Sequence, residues 1–139
     1  VYMACRQCQV IRSLEDVAKA ATITRKEAAR NYRHLYKQLQ PDVPQVDKDN
    51  LITKYVNQLR ISGTTEQLCR GIMDNAAEEK LTIGRAPEGI TAASLYIACK
   101  LNLEDRTQGE IAKAAQITEV TIRNRYKELL KKLDFEVKL

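Results

Sequence analysis

Residues Val1–Leu39 return, without a gap, as Leu95–Leu133. Tyr2, Ala4, Cys5 and Arg12 match Tyr96, Ala98, Cys99 and Arg106. Ala18 to Ala21 match Ala112 to Ala115, and Ile23-Thr24 matches Ile117-Thr118. Tyr32, Leu35, Lys37 and Leu39 match Tyr126, Leu129, Lys131 and Leu133, which makes 14 identities over 39 positions at a constant offset of 94. Repetition at a long period marks a duplicated structural unit, and it restricts the fold before any single residue is considered. The offset sets the length of that unit. The second copy has room for all of it, whereas the first opens in mid-element at Val1. The expectation is therefore a fragment of a two-repeat protein: residues 1–40 the C-terminal part of a first repeat, 41–46 a linker, and 47–139 a complete second repeat.

The hydrophobic periodicity is helical nearly throughout. Residues 1–9 read as the tail of an apolar helix, with Val1, Ala4, Cys5 and Cys8 at helical spacing. Ser13 with Asp16 and Thr24 with Glu27 read as capping boxes opening two further helices, the second carrying Ile23 as a hydrophobic staple. Val17, Ala21, Ala28, Tyr32, Leu35 and Leu39 are the expected buried positions. Gln40-Pro41-Asp42-Val43-Pro44 stops the third helix. In the second unit, Leu51, Ile52, Tyr55, Val56 and Leu59 line one helix. Leu68, Cys69, Ile72, Met73 and Ala76 line a second, expected from Thr65 to about Leu81. Pro87 opens an Ala-rich third helix, apolar on most faces and so expected at the centre of the unit. Thr107-x-x-Glu110 caps a short helix, and Thr118 caps the last, which ends at Leu133. The fold class is all-α, with five helices per unit.

A short helix, about three linking residues and a longer helix form a helix-turn-helix over residues 107–133, and its second helix suits the major groove of DNA. That last helix separates into two faces. Ile122, Tyr126, Leu129, Leu130 and Leu133 form the inward stripe; Val120, Arg123, Asn124, Lys127 and Lys131 form the outward one. Arg123 suits a bidentate contact to guanine O6 and N7, and Val120 suits a thymine methyl; a good bidentate pair is worth roughly 1–3 kcal/mol of discrimination. Arg125, Lys127 and Lys131 are placed for phosphates, which give affinity and register. Thr118, Thr121, Asn124 and Arg106 complete the expected secondary or backbone contacts. In the first copy the outward face is Lys26, Ala29, Arg30, Arg33 and Lys37. It is basic but less equipped to read bases, and Lys26, Ala29, Arg30 and Arg33 are expected to hold phosphates or a groove edge, or to face a protein.

Charge follows the repeat. Residues 1–40 carry eight basic and three acidic groups, residues 41–84 five and seven, and residues 85–139 ten and eight. The basic excess thus lies on the duplicated segments, which suits an anionic partner and also the solvated faces of any helical protein. Cys5-Arg6-Gln7-Cys8 has the spacing of half a zinc site, yet a structural zinc takes four ligands. Cys69 and Cys99 are isolated, His34 is the single histidine, and Cys5 repeats as the partnerless Cys99. Both are expected as small core residues, with no metal and no cofactor. Four cysteines without a secretory pattern fit a reducing cytosol. No phosphate-cradling glycine loop and no nucleophile with a base in reach is present, so no enzyme is expected. Nothing approaches the ~20 apolar residues of a membrane span.

Gly84-Arg85-Ala86-Pro87, Tyr96-Ile97-Ala98-Cys99, Arg106-Thr107-Gln108-x-Glu110-Ile111 and the run Val120 to Leu129 resemble the general transcription factor IIB family, in its archaeal form. The resemblance covers essentially the whole chain and implies two cyclin-like five-helix repeats. It also implies a basal initiation factor core that binds the TATA-binding protein at a promoter and reads flanking double-stranded DNA. On this resemblance the base-contacting Val and Arg of the family fall on Val120 and Arg123. A minor-groove Gly-Arg pair falls on Ala29 and Arg30, with Ala in place of Gly. RNA polymerase contacts are expected only through segments outside this chain. The location implied is the cytoplasm, at the archaeal nucleoid, or the nucleus in a eukaryote. The incomplete first repeat is expected to leave apolar surface around Val1, Cys5 and Val17 and to self-associate. The rival expectation is a cyclin-box module that binds protein and never reads DNA.

Overall fold

The structure, a computed structural model, describes residues 1–43 and 46–133. Pro44 of the expected linker and residues 134–139 of the expected second repeat lie outside the described residues. The described residues form eight α-helices and no strand, divided into two units, Val1–Asp47 and Lys48–Leu139.

The first unit holds α1 (Tyr2–Gln7), α2 (Leu14–Ala20) and α3 (Arg25–Leu39). Both expected capping boxes form. The Asp16 N–H donates to Ser13 Oγ at 3.0 Å and the Glu27 N–H to Thr24 Oγ1 at 3.2 Å, each side chain reciprocated by the carboxylate. Burial falls short of the sequence pattern. Ala18 and Ala28 are buried, but Val17 and Tyr32 are only half-buried and Ala21 is exposed. Ile23, Leu35 and Leu39 stand 40%, 45% and 64% exposed, so neither the staple nor the lower half of the α3 stripe is covered. The cause is length. At 1.5 Å per residue α3 is ~22 Å long and α2 ~10 Å, so α2 covers only part of the α3 apolar face. Cys5, expected in the core, is likewise only half-buried.

The second unit is built from α4 (Lys48–Leu59), α5 (Gly63–Glu78), α6 (Pro87–Leu101), α7 (Gln108–Ala115) and α8 (Glu119–Leu133). Every residue of α6 from Gly89 to Cys99 is buried, and α4, α5, α7 and α8 all pack on it. Ala92, Ala93 and Ala98 keep that helix thin enough for close neighbours, while Leu95 and Ile97 fill the space between them. Ser94 Oγ donates to the Met73 thioether at 3.2 Å, which satisfies a buried hydroxyl. Leu51, Ile52, Tyr55 and Val56 of α4 and Cys69, Ile72, Met73 and Ala76 of α5 are buried as the periodicity requires. Two details differ. Ser62 is the N-cap of α5, its Oγ accepting the Thr65 N–H, so that helix starts at Gly63 and ends at Glu78. Leu68 is 39% exposed, because the stripe that meets α6 runs through Thr65, Cys69, Ile72 and Ala76 instead.

The duplication is visible in the backbone. α2 and α3 begin at Leu14 and Arg25, α7 and α8 at Gln108 and Glu119, the same offset of 94. Left-handed residues close the helices at matching places: Gln9 (φ 55°) with Leu103 (φ 54°), and Thr22 (φ 57°) with Gln116 (φ 56°). In each pair the next N–H reaches back to the helix, Val10 to Cys5 O at 2.8 Å and Glu104 to Cys99 O at 2.9 Å, the bond of a Schellman cap. Tyr2 meets Tyr32 edge-on at 4.9 Å between ring centres, and Tyr96 meets Tyr126 at 5.3 Å.

Glu104 binds the end of α6 to the start of α5. Its carboxylate accepts from Thr65 Oγ1 at 2.6 Å, Ser62 Oγ at 2.9 Å and the Ser62 N–H at 3.1 Å, while Asn102 Nδ2 donates to Thr65 Oγ1 at 2.8 Å. Desolvation raises the Glu104 pKa, but these hydrogen bonds together outweigh it and hold the carboxyl below its ordinary value. A carboxylate with a lowered folded pKa stabilises above the unfolded value and loses that contribution as pH falls through the folded one. Thermal melts of Glu104→Gln and the parent are therefore expected to differ most near neutral pH and to converge once pH falls well below 4.5, the unperturbed value. Separately, Ile122→Ala, at a fully buried position, is expected to cost about 2–5 kcal/mol in urea unfolding.

Candidate nucleic-acid interface

The turn between α7 and α8 is compact because three local features agree. Thr107 caps α7 through a full capping box, with its N–H donating to Glu110 Oε2 at 2.8 Å and the Glu110 N–H donating to Thr107 Oγ1 at 3.2 Å. That bonding lowers the Glu110 pKa, the backbone hydrogen bond from Thr107 contributing most. Gln116 reverses the chain in the left-handed region. Thr118 Oγ1 then accepts the Thr121 N–H at 3.2 Å and lies 2.9 Å from Thr121 Oγ1, closing the first turn of α8.

Ile122 and Leu129 pin α8 to the unit, 0% and 2% exposed, while Tyr126, Leu130 and Leu133 are half-buried at the rim. The opposite face is in solvent. Val120 is 58% exposed, and Arg123, Asn124, Lys127 and Lys131 are exposed with it. Among the described residues Arg123, Lys127 and Lys131 make no salt bridge. An apolar side chain, a forked donor and two ammonium groups thus share one unobstructed helix face. Thr118 is exposed at the start of the helix and Thr121 is half-buried at its edge.

Two of the basic residues expected at this surface have other work. The Arg106 guanidinium donates to the Leu59 carbonyl from Nε at 3.3 Å and Nη2 at 3.1 Å, and to the Asp105 carbonyl from Nη1 at 2.7 Å. It ties the end of α4 to the loop before α7. Arg125 is half-buried and its Nη1 donates to Glu128 Oε2 at 2.6 Å. The other Glu128 oxygen accepts from Arg85 Nη2 at 2.9 Å. The Arg85 hydrogen bond is the chief reason the Glu128 carboxyl sits below its usual range; burial opposes it and Arg125 adds to it. Arg85 and Glu128 are 43 residues apart, so no local pattern links them, and the sequence alone marks Arg85 only as a turn residue.

In the first unit Lys26, Arg30 and Arg33 are exposed on α3 and Ala29 is half-buried. Arg30, Arg33 and Lys37 border a cleft of about 580 Å³ that Arg6, Tyr32, His34, Tyr36 and Val43 also line. The buried cysteines of the second unit are inert core thiols: burial pushes Cys69 up to about 12 and Cys99 up to about 11. No helix among the described residues is long and apolar enough to cross a membrane.

A buried central helix ringed by four others, the last two forming a helix-turn-helix with a basic outer face, defines an all-α, helix-turn-helix-bearing class of unit. Residues 41–132 match the model of the transcription factor TFIIB repeat. Transcription initiation factor IIB of Sulfurisphaera tokodaii is 42% identical over 137 residues, covering 99% of this chain and 44% of the relative. The protein of the same name from Methanosphaerula palustris is 42% identical across 99% of this chain and 41% of its own length. That of Methanocaldococcus jannaschii is 42% identical across 100% and 21%. The chain belongs to the transcription factor IIB family, and it spans less than half the length of these relatives.

The Arg106 contacts carry a stability prediction. Its removal leaves the α4 terminal carbonyl without its charged donors, and hydrogen bonds to charged groups are worth about 1.5–3 kcal/mol when buried. For this partly exposed site, Arg106→Ala is expected to lower unfolding free energy by about 1–2 kcal/mol in urea titrations.

Proposed function

We propose that this chain is a non-catalytic core segment of a transcription initiation factor, which engages promoter DNA with the TATA-binding protein and reads flanking base pairs through α8. The observation that carries the reading is the exposed Val120, Arg123, Asn124, Lys127 and Lys131 face on the second helix of a helix-turn-helix, in a chain whose relatives are named transcription initiation factor IIB.

The division of labour follows from chemistry and position. Val120 and Arg123 lie in the first turns of α8, the part of a recognition helix that reaches base edges. Lys127 and Lys131 follow one and two turns later, where ammonium groups meet phosphates without regard to sequence. Lys26, Arg30 and Arg33 of the first unit supply a second basic surface for backbone contact, and family membership motivates the TATA-binding protein as the protein partner. The proposed two-repeat arrangement takes residues 41–46 as its linker, a reading supported by the boundary between the two units at residue 47.

A gel shift on TATA-containing promoter duplex, with and without TATA-binding protein, tests this. Arg123→Ala is expected to lose roughly 5- to 150-fold in discrimination between preferred and altered flanking sequence, the equivalent of 1–3 kcal/mol. Lys131→Ala is expected to weaken binding to both sequences alike and to flatten the salt dependence by about 0.9 in log–log slope. Absence of any shift at low salt, with TATA-binding protein present, would leave the protein-binding module as the reading.

A further inference from the structure

Arg85 stands on a turn built to hold it. The Arg85 N–H donates to the Thr82 carbonyl at 3.3 Å, and Gly84 takes φ +68°, a conformation that glycine adopts without strain. The following helix start lies against α8: a Cβ added at Gly89 would come 3.4 Å from Thr121 Cγ2 and 3.8 Å from Arg125 Cγ. Glu128 receives Arg85 there, on the flank of α8. Asn124 and Lys131 are four residues before and three after Glu128, so both are its neighbours on the helix surface. The turn therefore delivers a guanidinium from outside the helix-turn-helix to the border of the α8 outward face.

We propose that Arg85 is a further DNA-phosphate contact of this surface, with Glu128 as the positioning residue that aims it. The inference rests on the DNA-reading function proposed above. Two comparisons within the molecule support it. Arg106, an arginine with a structural task, has guanidinium hydrogens committed to the carbonyls of Leu59, Arg60 and Asp105. Among the described residues Arg85 commits one nitrogen, Nη2, to one carboxylate oxygen, and its side chain is 42% exposed. A guanidinium carries five N–H donors, so most remain for a ligand, and their fork matches phosphate oxygens. The second comparison concerns charge. A bare carboxylate beside a DNA-facing stripe would repel the duplex backbone. Here Glu128 is shared by Arg85 and Arg125, so the three groups together carry one net positive charge and present it to the strand.

The test is the salt dependence of binding by the full chain, with TATA-binding protein, to the promoter duplex. Arg85→Ala is expected to make the log–log slope shallower by about 0.9, the loss of one phosphate, while Arg85→Lys keeps the slope. In a Glu128→Ala background, Arg85→Ala is expected to have less than half its effect on affinity. A slope unchanged by Arg85→Ala, in a protein whose binding still responds to Arg123→Ala, overturns the contact and leaves the function standing. An undiminished Arg85→Ala effect in the Glu128→Ala background overturns the positioning role. No binding by the parent chain removes both. Rescue by lysine excludes simple misfolding of the turn.

Discussion

From Gly89 to Cys99 α6 has no solvent face, and the other helices of the second unit are arranged by the need to enclose it. A helix without a polar side must be surrounded, and α4, α5, α7 and α8 are the walls. Small residues set how close those walls come. Gly89 lets the first turn of α6 lie beside Thr121 and Arg125, and Ala92, Ala93 and Ala98 keep the middle narrow. α8 is thereby fixed in rotation: Ile122 and Leu129 enter the core, so Val120, Arg123, Lys127 and Lys131 cannot do otherwise than face water. The candidate interface is the outer side of a packing solution.

Much of this was legible in the chain, for identifiable reasons. The two faces of α8 follow from 3.6-residue periodicity, the caps at Ser13, Thr24 and Thr107 from hydroxyl and carboxylate spacing, and that at Thr118 from its hydroxyl alone. Both are local rules. What was not legible depends on partners distant in sequence. Leu35 and Leu39 have the periodicity of core residues, yet burial needs a facing surface that α2 is too short to offer. Leu68 is apolar at a plausible register but misses the α6 contact. Arg106 reads as a basic residue beside a DNA-binding motif, and only the position of the Leu59 carbonyl shows what occupies it. Arg85 and Glu128 meet through the tertiary fold alone.

The two units show how a duplicated backbone is kept while its chemistry diverges. The tyrosine pair, the cap residues and the left-handed positions recur at one offset, because each fixes where a helix stops or how two helices meet. The outward positions of the last helix are free of that duty, and there Lys26 and Ala29 stand where Val120 and Arg123 do. Basic character survives in both copies; the combination of apolar contact and forked donor belongs to the second.

The helix corners have a consequence for engineering. Seven non-glycine residues among those described sit at positive φ, including the β-branched Thr22. An L-residue in that region carries roughly 1–2 kcal/mol of steric strain that glycine avoids, partly offset by the greater freedom glycine has when unfolded. Gln116 aside, which lies in the helix-turn-helix, these corners offer thermal headroom outside the helix interiors. A more heat-resistant form of this fold is reachable by changing only where its helices turn.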